Sequence, residues 1–168
     1  MIVSHRHRFI FMHSRKVAGS SVKVSLARHL GPEDVLIGSW NEALSTGIPL
    51  NRHSKNIMRH PKTLVYFWAA RVKGKSYEEA VNIGIKAYYR NALSVNPPHP
   101  TAAEAKRFFQ QEWQDYYKFS FVRNPYERLA SDYYWRKRMI KRNISFREYL
   151  RLLEQGSRTG GVVHPGGA

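Results

Sequence analysis

The sequence predicts an α/β domain in three layers, with a mostly parallel sheet flanked by helices. Three observations predict it. Short apolar runs that suit buried strands alternate with segments whose apolar residues recur at helical spacing. The run over 8–13 (RFIFMH) leads through a basic turn bearing glycine and serine into such a helical segment. Further on, Ser76 and Glu79, Thr101 and Glu104, and Ser145 and Glu148 each have the spacing of a helix capping box.

Taken in order, 8–13 reads as a buried strand and 20–30 as a helix. The helix has an apolar stripe of Val22, Leu26 and Leu30, and Gly31-Pro32 stops it. Residues 35–40 read as a second strand. Residues 41–62 are polar, with Gly, Pro, Asn and His, and read as loop. The apolar run 64–70 is too short to show a period, so strand and helix both stay open. The capping boxes place helices over 77–92, 102–115 and 146–154. Residues 117–123 (YKFSFVR) alternate apolar and polar like a strand. Pro125 then takes a first helical position, and Leu129, Tyr133 and either Arg136 or Lys137 share one face of the helix that follows. The Gly-rich tail 156–168 has no period and is expected to be disordered or truncated. That leaves 1–155 as a single domain, without internal repeats.

At 168 residues the chain is long enough to bury a core. With 42% hydrophobic residues its composition is not that of a disordered chain. The absence of cysteine excludes disulfides, thiolate metal sites and a cysteine nucleophile. No stretch reaches the roughly 18 to 20 apolar residues of a membrane span. The N-terminus has no signal-peptide apolar region, so a soluble, cytoplasmic protein is expected. The net charge of +16 calls for an anionic partner: nucleic acid, a phosphorylated cofactor, an acidic glycan or an anionic membrane surface.

Two loops have a layout that suits an anion, each with an ordinary alternative. In SRKVAGSSV, Lys16 supplies a point charge, Gly19 permits close backbone approach, and Ser20 and Ser21 add hydroxyls to the unpaired amides of a helix start. This layout is P-loop-like, but the lysine precedes the glycine by three residues, where an ATP-binding loop has it directly after the last glycine. The ordinary alternative has Ser20 cap the helix and Lys16 face solvent. In FSFVRNPYERLASDYY, Arg123 at a strand end can grip a phosphate through its fork, with Ser131 further along the helix adding a hydroxyl. The ordinary alternative pairs Arg123 with Glu127 and leaves Ser131 on the surface.

Together the two stretches resemble the sulfotransferases that use 3′-phosphoadenosine 5′-phosphosulfate (PAPS), in particular the carbohydrate sulfotransferase-like branch. There the second loop has the form F-x-F-V-R-N-P-[YW]-[DE]-R-L-x-S-x-Y. It is matched by Phe119, Phe121, Val122, Arg123, Asn124, Pro125, Tyr126, Glu127, Arg128, Leu129, Ser131 and Tyr133. The first loop, P-K-T-G-G-T-S in the family, is matched at Lys16, Gly19, Ser20 and Ser21, whereas Arg15, Val17 and Ala18 depart from it. The resemblance covers roughly residues 8 to 150. It implies that Lys16 and the backbone around Arg15, Ala18, Gly19, Ser20 and Ser21 hold the 5′-phosphosulfate, and that Arg123 and Ser131 hold the 3′-phosphate. It also implies adenosine 3′,5′-bisphosphate (PAP) as the product. Members of this branch continue further past the second loop, so a truncated or minimal version is expected.

Sulfuryl transfer asks for positioning and for charge stabilisation on the leaving group, which suits Lys16 as a catalytic as well as a binding residue. A hydroxyl acceptor also needs a base. His99, ahead of the capping box at Thr101, is the first choice, as a histidine often precedes a similar run in the family. His53 and His60 come next, and Glu33 and Glu42 are weaker. No metal is expected, since the eight histidines show no ligand spacing and His5 and His7 lie among arginines. Tyr133, Tyr134 and Trp135 read as packing residues. The run Arg136, Lys137, Arg138, Lys141 and Arg142 reads as a solvated basic face, or else as an attractor for an acidic glycan acceptor. The rival readings are a non-enzymatic polyanion or nucleic-acid binder and a kinase-like phosphotransferase. A specific nucleic-acid partner is not expected, because no recognition motif accompanies the charge.

Overall fold

The computed structural model describes residues 1–140 and 144–158. The chain divides into two compact units, Met1–Val122 and Arg123–Ala168.

The first unit is built on a sheet of four short strands, β1 (Ile2–Ser4), β2 (Phe9–Phe11), β3 (Val35–Leu36) and β4 (Tyr117–Phe119), in the order β3-β1-β2-β4. The sheet is mixed, not mostly parallel. β1 runs antiparallel to both β2 and β3, and β2 with β4 is the parallel pair, Phe9 opposite Tyr117. The reason is local. Only residues 5–8 connect β1 to β2, and so short a link can only reverse the chain, whereas a parallel partner needs a long crossover. Buried Asp34 holds that turn, accepting from Ser4 Oγ at 2.6 Å, from the Arg6 amide at 3.0 Å and from the Gly31 amide at 2.9 Å. Ile2, Val3, Ile10 and Phe11 are completely buried in the sheet.

Helices flank the sheet: α1 (Gly19–Ala27), α2 (Trp40–Ser45), α3 (Arg52–Met58), α4 (Pro61–Val72), α5 (Tyr77–Tyr89), α6 (Ala102–Phe108) and α7 (Gln110–Asp115). The polar stretch 41–62 is therefore not a loop but carries most of α2 and all of α3. α3 is held by a cap and α2 by contacts of Trp40, neither of which needs a long apolar period. Asn51 Oδ1 accepts from the Ser54 amide at 3.0 Å, and the Trp40 indole N–H donates to Leu36 O at 3.0 Å. The second strand ends at Leu36 because Gly38 and Ser39, at φ 75° and 72°, turn the chain into α2. The apolar run 64–70 is helical, started by Pro61 and turning Thr63, Phe67 and Ala70 inward. The capping boxes at Ser76 and Thr101 are closed from both sides. The helix expected over 102–115 breaks at Phe109.

The second unit holds α8 (Pro125–Ile140) and α9 (Phe146–Arg158). Asn124 Oδ1 accepts from the Tyr126 amide at 3.0 Å, and Pro125 opens the helix. Tyr133 is buried, with ring centroids 5.2 Å from Phe146 and 5.6 Å from Tyr149. Its hydroxyl donates to Ile144 O at 2.8 Å. Asp132 gathers Arg136 at 2.7 Å and the Tyr149 hydroxyl at 2.7 Å, so Arg136 is not part of a free basic face. Lys141, Arg142 and most of the tail expected over 156–168 lie outside the described residues.

Candidate functional site

Strand β2 and helix α1 frame the first loop. Lys16 and Ala18 take left-handed backbone, at φ 67° and 60°, which costs a non-glycine residue on the order of 1 kcal/mol each. That backbone folds residues 14–18 tightly onto the start of α1. Ala18 is the residue before the helix and has no side-chain oxygen to cap it. Ser20 lies inside the first turn instead of capping it, so the cap of the ordinary alternative is not made. The amides of that turn have no cap from the residue before the helix, and Ser20 and Ser21 are exposed beside them. No carboxylate occurs before Glu33, while Arg15, Lys16 and Lys23 lie in or next to this loop. Such a donor set is chemically suited to an anion.

Below the loop sits a histidine that sequence reasoning passed over. His13 is buried, with its ring stacked on Phe11 at 5.5 Å between centroids. It fills the space beneath Gly19, where a Cβ would come within 2.1 Å of His13 Nδ1. His99 meets it edge-on, with ring centroids 4.7 Å apart. The structure thus brings His99 to the base of the loop that carries Lys16.

Hydrogen bonds to carbonyl oxygens fix both tautomers. His13 Nδ1 donates to Ser14 O at 2.9 Å, and His99 Nδ1 donates to His13 O at 3.2 Å. Each ring therefore keeps a lone pair on Nε2. His13 Nε2 is buried without a partner among the described residues. Burial pushes His13 down to about 3 and His99 down to about 4, and Lys23 nearby adds to both shifts. From pH 6.5 down to about 4 the unfolded chain binds protons that the folded rings refuse, so acid costs stability in that window. Lys23 itself is buried, its ammonium 3.5 Å from Ile37 O and pushed down to about 8 by burial, against the pull of Glu42.

Lys23 is a second residue that the sequence reading missed. The buried face of α1 is Gly19, Lys23 and Ala27, while Val22, Leu26 and Leu30 are only half-buried. A lysine stem packs as an apolar chain while its head seeks a carbonyl. The spacing from Gly19 to Lys23 to Ala27 was the available signal.

The other candidate bases lie among other partners. His53 Nε2 is 2.8 Å from the Tyr89 hydroxyl, with burial lowering its pKa. His60 starts α4 and meets Tyr88 edge-on at 5.1 Å. Glu33 pairs with Arg52, and Glu42 Oε2 is buried without a partner among the described residues. His5 lies 3.0 Å from the Tyr116 hydroxyl, and His7 3.1 Å from His29 O. A groove of about 390 Å³ lined by Ala103, Lys106, Arg107, Gln110 and Gln114 contains none of the predicted residues.

In the second unit, Arg123 Nε donates to Glu127 Oε2 at 3.2 Å across one helical turn, and Ser131 lies further along α8, half-buried. Lys137 Nζ sits 5.9 Å from the Tyr133 ring centre.

The model described as "Sulfotransferase family" matches residues 1–159. No curated protein and no solved structure matches the chain. Because the match runs from the first strand through both loops and α9, the chain belongs to the sulfotransferase family.

Proposed function

We propose that the chain transfers a sulfuryl group from PAPS to a hydroxyl or amine acceptor of carbohydrate type, releasing PAP. One observation carries this reading. The loop that presents Lys16 and the first-turn amides of α1 has a neutral histidine, His99, at its base, with the tautomer that can accept a proton. A simple anion trap has no use for that base. A P-loop-like role for this loop is part of the same reading.

PAPS supplies an activated sulfuryl group whose departure leaves negative charge on a phosphate. The amides of Gly19, Ser20 and Ser21 and the Lys16 ammonium hold that charge, and Lys16 holds it more tightly as it grows. Arg15 adds field, and Ala18 shapes the turn. Arg123 and Ser131 hold the 3′-phosphate. His99 Nε2 takes the acceptor proton as the acceptor oxygen bonds to sulfur. A pKa of about 4 makes a weak base, but a phosphosulfate bound above it would favour the protonated ring and raise that value. Lys137 and Arg138 of α8 suit an acidic acceptor.

Calorimetric titration with PAP, 5′-AMP and ATP tests the donor site. Micromolar affinity that depends on the 3′-phosphate supports the reading. Equal weak binding that salt abolishes leaves only a basic surface, as in a polyanion binder. Arg123→Ala should weaken PAP by about 2 to 4 kcal/mol, net of its lost pair with Glu127, and leave 5′-AMP unchanged. His99→Ala should leave PAP affinity nearly intact while turnover falls roughly a hundredfold. Unchanged turnover would move the base to His53 or His60.

A further inference from the structure

Helix α4 is apolar on two opposite faces. Thr63, Phe67 and Ala70 turn into the unit. On the far side Pro61, Leu64, Val65, Trp68 and Val72 recur at the spacing of a single stripe. Val65 is 67% exposed, Trp68 62% and Val72 87%. Trp68 meets Phe67 edge-on at 5.3 Å, which braces its ring from the core side. Apolar residues facing water in such a row form one contiguous strip that can make a small apolar contact.

The charge around the stripe says which partner. Between Glu42 and Glu78 the chain has no carboxylate, and it carries Arg52, Lys55, Arg59, Lys62, Arg71, Lys73 and Lys75. Of these, Arg52 is paired with Glu33 and Lys75 with Glu79, and Arg71 donates to Lys75 O at 2.6 Å beside Glu78. A second copy, itself at +16, would meet repulsion there. The stripe is also small. A helix of 12 residues is about 18 Å long and roughly 10 Å wide, giving on the order of 200 Å² of face. A stable protein pair needs ~800 Å² per partner. A shallow apolar stripe bearing a tryptophan, in a stretch of sequence rich in lysine and arginine, instead suits the interface of an anionic membrane.

We propose that α4 docks the protein on an anionic lipid surface, with Val65, Trp68 and Val72 entering the acyl boundary and Lys73 and Arg71 meeting the headgroups. This function is separate from the donor site and does not depend on it.

Co-sedimentation with vesicles of phosphatidylcholine alone, and of phosphatidylcholine mixed with phosphatidylserine, tests the proposal. The protein should pellet with the mixed vesicles and not with the neutral ones. Trp68→Ser/Val72→Ser should lower the partition about tenfold or more, since it removes apolar contact only. Lys73→Gln should lower it roughly fivefold. Urea denaturation of the double variant checks that the fold survives. If the double variant partitions like the wild type, charge alone binds the vesicles and α4 is not the docking element. Failure to pellet with either vesicle overturns the proposal. So does self-association in sedimentation velocity that the double variant abolishes, because a second copy would then cover the stripe.

Discussion

Gly19→Ala is expected to destroy PAP binding and to lower stability by about 3 kcal/mol. The added methyl would sit 2.1 Å from His13 Nδ1 and 2.2 Å from its neighbouring ring carbon, which no packed pair tolerates. The His13 ring has nowhere to go. It is held by its bond to Ser14 O, by Phe11 behind it and by His99 against its edge. The loop must therefore lift from the ring, taking Lys16 and the amides of α1 with it. Urea denaturation and PAP calorimetry read the two effects. His13→Ala placed in the same chain opens the space again and should restore most of the lost stability. If Gly19→Ala binds and unfolds like the wild type, the ring does not pack under this glycine.

Lys16→Met should lower kcat by roughly 10²- to 10³-fold while changing KM much less. Methionine keeps the length of the side chain and removes the charge, so the loop can close as before. The loss then falls on the step in which charge builds on the departing phosphate. Single-turnover rates with saturating PAPS separate this from weaker binding. A raised KM at unchanged kcat would make Lys16 a ground-state anchor.

The sequence marked the first loop clearly because its chemistry is local: a lysine, a glycine and two serines within six residues. The capping boxes at Ser76 and Thr101 were legible for the same reason, since each is complete within four residues. What escaped depends on distant partners. β1 was invisible because Ile2 and Val3 form a strand only between β2 and β3. α2 and α3 were hidden because their polar sequences fold on contacts with Trp40, Asn51 and Ile57, not on a repeating pattern. His13 looked like the end of a strand, and its neighbour His99, far along the chain, gave no local hint. Pairing in the sheet was misjudged on the assumption that each strand is followed by a helix, which the β1–β2 hairpin violates.

The parallel pairing of residue 9 with residue 117 has a consequence for how the protein is made. On the ribosome the hairpin of β1 and β2 emerges long before β4. At typical synthesis rates of about 5 to 20 residues per second, that interval lasts roughly 5 to 20 s. Throughout it, the edge of Phe9, Ile10 and Phe11 stands without its partner strand, open to any other extended chain. Met12 also waits, because its amide donates to Phe119 O, at 3.2 Å. The donor loop follows directly on this strand, so its final shape comes late in synthesis. Yield in a cell should thus depend on chaperone supply and on translation speed between β2 and β4 more than on final stability.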